Sequence, residues 1–245
     1  MVQTQPAAQI NVNSVVCKRM KPPPQTADAF CIAIDDATQN RYLCKDQSQT
    51  DWLPIVEWLA QHLAKRCGLL VPECYVVQLA TQPEKPMFGS KWEGGAEAFF
   101  HGILEKITNP TEMSAIFAFD LLIHNVDRHL NNYLYLQLAG DTVVKAMDHS
   151  RCLWFSGWPM PSPPPEKSSN TMISAEHWRK IVQWEKERAE QVVNQWNTIT
   201  KAEITMILDS APSIWVDAQK RQDLIDWWGS KEWQERSDEV IGAFQ

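Results

Sequence analysis

The tightest constraint on this fold is a chain reversal between residues 132 and 148. Tyr133 to Leu138 and Thr142 to Met147 are apolar, β-branched and aromatic runs separated by Ala139, Gly140 and Asp141. Such runs flanking a short Gly-containing turn predict two antiparallel strands. Asn132 and Asp148 stand equally far from Gly140 in sequence, so a hairpin centred there brings both oxygen-bearing side chains to its open end. Two hard oxygen ligands then share one place. A magnesium ion takes about that number from a protein, while phosphates and waters fill its remaining octahedral positions.

Just upstream, Asn125 to Asn132 reads NVDRHLNN, with Asp127 five residues before Asn132. In the catalytic loop of protein kinases a general base precedes a metal-binding Asn by the same interval. The roles then divide as phosphoryl transfer requires. Asp127 accepts or orients the proton of an attacking hydroxyl, Asn132 helps to neutralise phosphate charge, and Asp148 is the main metal ligand. Arg128 and His129 support the loop. The expected cofactors are ATP and Mg2+. Taken alone, DRHLNN describes a solvated turn or a surface ion-pair cluster equally well, and Asp148 downstream favours the catalytic reading.

Composition narrows the class. A chain of 245 residues can bury a core as one large domain or as two lobes sharing a cleft. With 44% apolar and 22% charged residues and a net charge of -7, it reads as an ordinary folded protein without the basic footprint of a nucleic-acid binder. It contains no run long and apolar enough to span a bilayer, and the opening MVQTQPAAQINVNSVV lacks the basic start and apolar centre of a signal peptide. The expected location is cytoplasmic, with no membrane partner. Six cysteines without a CxxC pair predict small core residues rather than a zinc site or a disulfide framework.

Strands are predicted at Ile10 to Cys17, Ala29 to Ile34, Arg41 to Lys45 and Cys74 to Leu79, with polar turns at Lys18 to Asp28 and Asp35 to Asn40. Thr50 or Asp51 caps a helix to about Cys67, and Gly68 ends it. Pro83 to Gly95 reads as a Pro- and Gly-rich crossing, and Thr111 to His124 as a helix. Five prolines make 156–171 a loop. Helices follow over Ala175 to Trp196, Lys201 to Asp209 behind a Thr200/Glu203 capping box, Ala218 to Trp228 and Lys231 to Phe244. The tryptophans of this region fit helix-packing anchors better than a ring-stacking surface.

The DRHLNN run, the later MDHS, the upstream FDLLIHN, YLCKD, VEWLAQHLAKRCGLLVPE and MFGSKW together resemble the HipA-like kinases over roughly residues 10 to 240. A more distant likeness is to the phosphatidylinositol kinase catalytic loop. The resemblance implies a single α+β domain over 1–245 with a two-lobed, protein-kinase-like fold: a small antiparallel-sheet N-lobe (10–85) and a mainly helical C-lobe (86–245). It implies ATP- and Mg-dependent transfer of the γ-phosphate to a hydroxyl, on a protein Ser or Thr or on a small molecule. It also implies an antitoxin-like regulatory partner.

In that frame Lys45 reaches the α and β phosphates and Glu57 holds it, with Asp46 and Glu73 as rival partners. Asp120, alone on an apolar helix, braces the loop or Arg128. Ser90 or Lys91 touches nucleotide or substrate. The chain departs from better-known kinases at two places. Its first glycine is Gly68, so Lys18 to Asp28 replaces a Gly-rich loop and Lys18, Arg19 and Lys21 meet phosphate by charge. His149 and Ser150 replace the Phe and Gly that commonly follow the metal-binding Asp. Ser156, Ser162, Ser168, Ser169 and Thr171 are candidate phosphate acceptors. Two rivals stand beside the kinase: a pseudokinase or binding module without transfer, and a metal hydrolase built from His124, Asp127, His129 and His149.

Overall fold

The N-terminal apolar runs do form strands, but they form more of them than the sequence predicts. The computed structural model describes residues 13–23, 28–94, 96–97 and 106–244. Residues 10–12 of the first expected strand and 24–27 of the loop after it lie outside these. Six strands, β1 (Ser14–Cys17), β2 (Arg19–Lys21), β3 (Cys31–Ile34), β4 (Arg41–Lys45), β5 (Cys74–Leu79) and β6 (Gln82–Lys91), make one sheet in the order β1-β5-β6-β4-β3-β2. β1 runs parallel to β5 and every other neighbour is antiparallel. β1 and β2 occupy opposite ends of that order, yet Lys18 alone separates them. The sheet must therefore curl until its edges approach, and Cys17, Cys31, Tyr42, Cys44, Val77 and Met87 fill the concavity.

Two expectations are corrected here. Arg19 to Lys21 is a strand rather than the start of a loop, because its backbone finds an edge in β3. Residues 82–91 are a strand inside the sheet rather than a crossing. Prolines interrupt a ladder only where an N–H is needed. Pro83 and Pro86 fall in the half of β6 that has no β4 partner, where pairing with β5 also shifts register. Gly89 then becomes necessary for a steric reason: a Cβ there would lie 2.3 Å from Val77 Cγ2.

α1 (Leu53–Arg66) carries Pro54 in its first turn and has no side-chain cap, so neither Thr50 nor Asp51 plays the predicted part. α2 (Glu112–Leu122) is buried along its whole length. The second sheet joins β7 (Ala96–Glu97), β8 (Tyr133–Leu138) and β9 (Asp141–Ala146). Its hairpin is tighter than predicted. Leu138 pairs with Asp141 across Ala139 and Gly140, at φ 53° and 99°, as a two-residue turn with both central residues left-handed matches the twist of its strands. The register moves by one residue, so Met147 rather than Asp148 faces Asn132, with its N–H donating to the Asn132 carbonyl at 3.2 Å.

The C-terminal region is helical as expected, with one change. α3 (Asn170–Arg179), capped by Ser169, starts inside the Pro-rich segment and is separate from α4 (Lys186–Thr198). The break is held where Trp184 packs against Phe117 and Phe244, and where the Glu185 N–H donates to Ser114 Oγ. α5 (Lys201–Ser210) has the predicted capping box, followed by α6 (Ala218–Trp227) and α7 (Lys231–Gly242). Trp178, Trp196, Trp215 and Trp228 are core anchors, and all six cysteines are buried and free. No described helix is long and apolar enough to cross a membrane.

Gly89→Ala tests the close approach of β6 to β5. Overpacking should lower unfolding stability by about 1–3 kcal/mol, with part recovered when Val77→Ala is added. An unchanged urea midpoint for the single variant would contradict it.

Candidate active site

Lys45, the last residue of β4, is buried with its ammonium between two carboxylates. Nζ donates to Glu57 Oε1 of α1 at 2.5 Å and to Asp148 Oδ1, just beyond β9, at 2.7 Å. Burial opposes the charge on Lys45, but Asp148 and Glu57 outweigh it and raise its pKa above the usual lysine range. Burial likewise opposes ionisation of Asp148, yet Lys45 and the bonds from Lys45 and Ser150 hold it well below the carboxylate range. For Glu57 burial prevails and the pKa rises. The rival partners of Lys45 are occupied elsewhere: Asp46 accepts from Ser48, and Glu73 from Lys91.

Asp148 sits at φ 58°, a left-handed conformation that Asp tolerates better than most residues. The Ser150 N–H and hydroxyl fix it by donating to Oδ1 at 3.3 and 2.8 Å, and the His149 N–H donates to both Glu57 oxygens at 3.2 Å. All these bonds to Asp148 fall on Oδ1. Oδ2 has no hydrogen-bond partner among the described residues, and neither has Asn132 Oδ1, whose amide donates through Nδ2 to the Asp127 carbonyl at 2.7 Å. One ammonium against two carboxylates leaves the Lys45 cluster with a net negative charge. Two hard oxygens without partners among the described residues, one of them on a carboxylate of a negative cluster, are the donor type a magnesium ion takes, and Lys45 has a third N–H beyond these two bonds.

The loop carrying Asp127 is fastened from below. Arg128 is buried and makes a two-point pair with Asp120, Nε to Oδ2 at 2.8 Å and Nη2 to Oδ1 at 2.9 Å. Its Nη1 donates to the Asn132 and Met147 carbonyls, tying the loop to the open end of the hairpin. Asn125 Nδ2 adds a bond to Asp120 Oδ1 at 2.8 Å, so Asp120 takes the bracing part predicted for it. His129 acts locally, with Nδ1 accepting the Asn131 N–H at 3.2 Å. Two residues escape the sequence reading. Asn170 Nδ2 donates to Asp127 Oδ1 at 2.5 Å. Asp28 Oδ2 lies 2.8 Å from Ser150 Oγ, where it competes with Asp148 for the one hydroxyl proton, and Asp28 pairs with Arg151 at 3.1 Å. Both bonds join distant segments, which no local motif announces.

Other predicted residues are not brought in. Lys21 pairs with Ile32, and Ile32 with Leu43, two residues short of Lys45. Lys18 is one residue beyond Arg19, which stands level with Ile34 and Arg41. That puts it roughly 16 Å along the strands from Lys45 at the usual strand rise, farther than a lysine side chain spans. Arg19 is committed to Asp36 and Gln39, and Lys91 to Glu73. Thr171 is buried against the catalytic loop and Ser169 caps α3, leaving Ser156, Ser162 and Ser168 as the exposed hydroxyls of the loop. His149 is sealed against Phe119 with neither ring nitrogen hydrogen-bonded. Among the described residues no three His, Cys, Asp or Glu side chains gather as a metal cluster, so the histidine hydrolase finds no support.

The family model for HipA-like kinases matches residues 25–228. The chain belongs to the HipA-like kinase family. Its fold is similar to that of the Helicobacter pylori proinflammatory kinase CtkA, at 13% identity and a TM-score of 0.58, covering 95% of this chain and 96% of that one. It is also similar to HipA in the Shewanella oneidensis complex of HipA, HipB and operator DNA, at 9% identity and a TM-score of 0.51, covering 91% of this chain and 64% of that one. No curated protein matches the sequence. This HipA-like kinase thus has the α+β kinase-like architecture implied by its motifs.

Asp120→Ala in this HipA-like kinase would leave the Arg128 guanidinium buried without its counter-ion. A loss of about 3–5 kcal/mol in unfolding stability is expected, measured by chemical denaturation. A loss below about 1 kcal/mol would show that Asp120 does not brace the loop.

Proposed function

We propose that this protein transfers the γ-phosphate of ATP to a hydroxyl group in a reaction that requires Mg2+. A Ser or Thr on a protein is the acceptor class that the family favours. The observation that carries this reading is the Lys45, Glu57 and Asp148 cluster, with Asp148 Oδ2 and the side-chain oxygen Oδ1 of Asn132 each left without a hydrogen-bond partner among the described residues. Asp148 and Asn132 would hold the metal, which when bound neutralises charge on the phosphate oxygens. Lys45 orients the α and β phosphates through its remaining N–H. Lys21, level with Leu43 two strands away and two residues short of Lys45, has its part in the proposal as a charge facing the phosphates from the β2 edge rather than as a member of the Lys45 cluster.

In the transfer step the acceptor oxygen forms a bond to the γ-phosphorus with its lone pair. The bond from that phosphorus to the β,γ-bridging oxygen breaks, and ADP leaves with the electron pair. The hydroxyl proton passes to Asp127. The two lobes of a single domain, whose expected boundary at 85/86 moves past the end of β6 at Lys91, would meet at this centre, since Lys45 and Glu57 come from one and Asp148 from the other. The Shewanella HipA occurs with HipB and operator DNA, and a regulatory partner of that kind for the present chain is part of the proposal, as is action in the cytoplasm.

A second reading, a pseudokinase that binds nucleotide or a partner without transfer, is favoured by one observation. No glycine precedes Gly68, and Pro22 and Pro23 follow β2 where a Gly-rich loop would present backbone N–H groups. Turnover separates the two. ADP release from Mg-ATP should be measurable for the wild type and should fall at least about 100-fold in both Asp127→Asn and Asp148→Asn, as expected for removing a general base or a metal ligand. No turnover in the wild type would favour the binding module, and equal rates in wild type and both variants would contradict the roles proposed for Asp127 and Asp148.

A further inference from the structure

The catalytic loop is fastened not only from below by Arg128 but also from the side, by the first turn of α3. Thr171 does the structural part. Its hydroxyl donates to the Asn125 carbonyl at 2.7 Å and accepts the Arg128 N–H at 2.9 Å, and its own N–H donates to the Val126 carbonyl at 3.4 Å. These bonds fix the backbone of α3 against residues 125–128, and Ser169 caps the same turn through the Met172 N–H. Asn170, between them, is exposed, and packing would leave it free. It nevertheless donates Nδ2 to Asp127 Oδ1 at 2.5 Å, across 43 residues of sequence. Asp127 Oδ2 has no hydrogen-bond partner among the described residues. A charge-assisted bond from an amide whose backbone is already docked selects one carboxylate oxygen and leaves the other open.

We infer that Asn170 is a positioning residue for the transfer reaction: it holds Asp127 by Oδ1 so that Oδ2 faces the acceptor hydroxyl. This rests on the kinase reading. In the step above, the acceptor proton then goes to Oδ2 while Asn170 keeps its own proton and is unchanged at the end of the cycle. The role is separate from nucleotide binding, since among the described residues neither Lys45, Asn132 nor Asp148 hydrogen-bonds the Asn170 side chain. It is separate also from folding, since the side chain is exposed and Thr171 carries the loop contacts.

The test measures steady-state ADP release from Mg-ATP, with water and any acceptor present on the protein itself as acceptors, together with thermal unfolding. Asn170→Ala should lower kcat about 10- to 100-fold, the cost of a misplaced reacting group, with KM for ATP and Tm unchanged. Asn170→Asp, which puts a second carboxylate against Asp127, should fall further. Asn170→Gln, which keeps the amide donor on a longer side chain, should recover part of the loss. A wild-type kcat in the Ala variant, a loss that appears in KM or Tm instead, or a Gln variant no better than Ala would overturn the assignment while leaving the kinase reading intact. Absence of turnover in the wild type would overturn both.

Discussion

The structure depends on the ammonium of Lys45. A charge that deep is costly unless paired, and its two partners come from separate parts of the chain: Glu57 from α1 and Asp148 from the segment after β9. One cation therefore sets the distance between the curled sheet, the helix beside it and the hairpin of the second sheet. Glu57 strengthens the arrangement by accepting the His149 N–H as well, so the left-handed turn at Asp148 is held from both sides. The two carboxylates respond in opposite ways. Asp148 is kept ionised, with one oxygen toward Lys45 and the other without a hydrogen-bond partner among the described residues, while burial pushes Glu57 up.

A second buried cation repeats the device beneath the catalytic loop. Arg128 uses Nε and Nη2 of its planar fork on Asp120 and both protons of Nη1 on the carbonyls of Asn132 and Met147. A lysine has no such geometry. The loop, α2 and the open end of the hairpin are thereby joined. Above this rigid base the side chains proposed for chemistry, Asp127 and Asn132, each retain an oxygen without a hydrogen-bond partner among the described residues.

Much of this was legible in the sequence because it is local or periodic. The hairpin runs, the Thr200/Glu203 box, the helices of the C-terminal region and the solitary Asp120 on an apolar helix announced themselves. The order Lys45, Glu57, Asp127, Asn132, Asp148 was legible as a motif, and their geometry now places Lys45, Glu57 and Asp148 in one cluster. The misses have physical causes. A two-residue turn with Ala139 left-handed shifted the hairpin by one position. Pro83 and Pro86 disguised β6 because they fall where its ladder has no β4 partner to satisfy. Lys18 and Lys21 looked equivalent in sequence, and the β2 register separates them. Asn170 and Asp28 act across long separations, and neither spacing nor residue type signals such a bond.

On the proposed function, Asp148 and its neighbours form a metal-nucleotide site. Thermal unfolding with ATP, with and without Mg2+, tests it most directly on wild type and Asp148→Asn. At about 100 times the dissociation constant, ligand binding should stabilise the wild type by roughly 2.7 kcal/mol, in a manner that needs Mg2+ and disappears in Asp148→Asn. No response to ATP in either protein, or an equal metal-dependent response in both, would contradict the account.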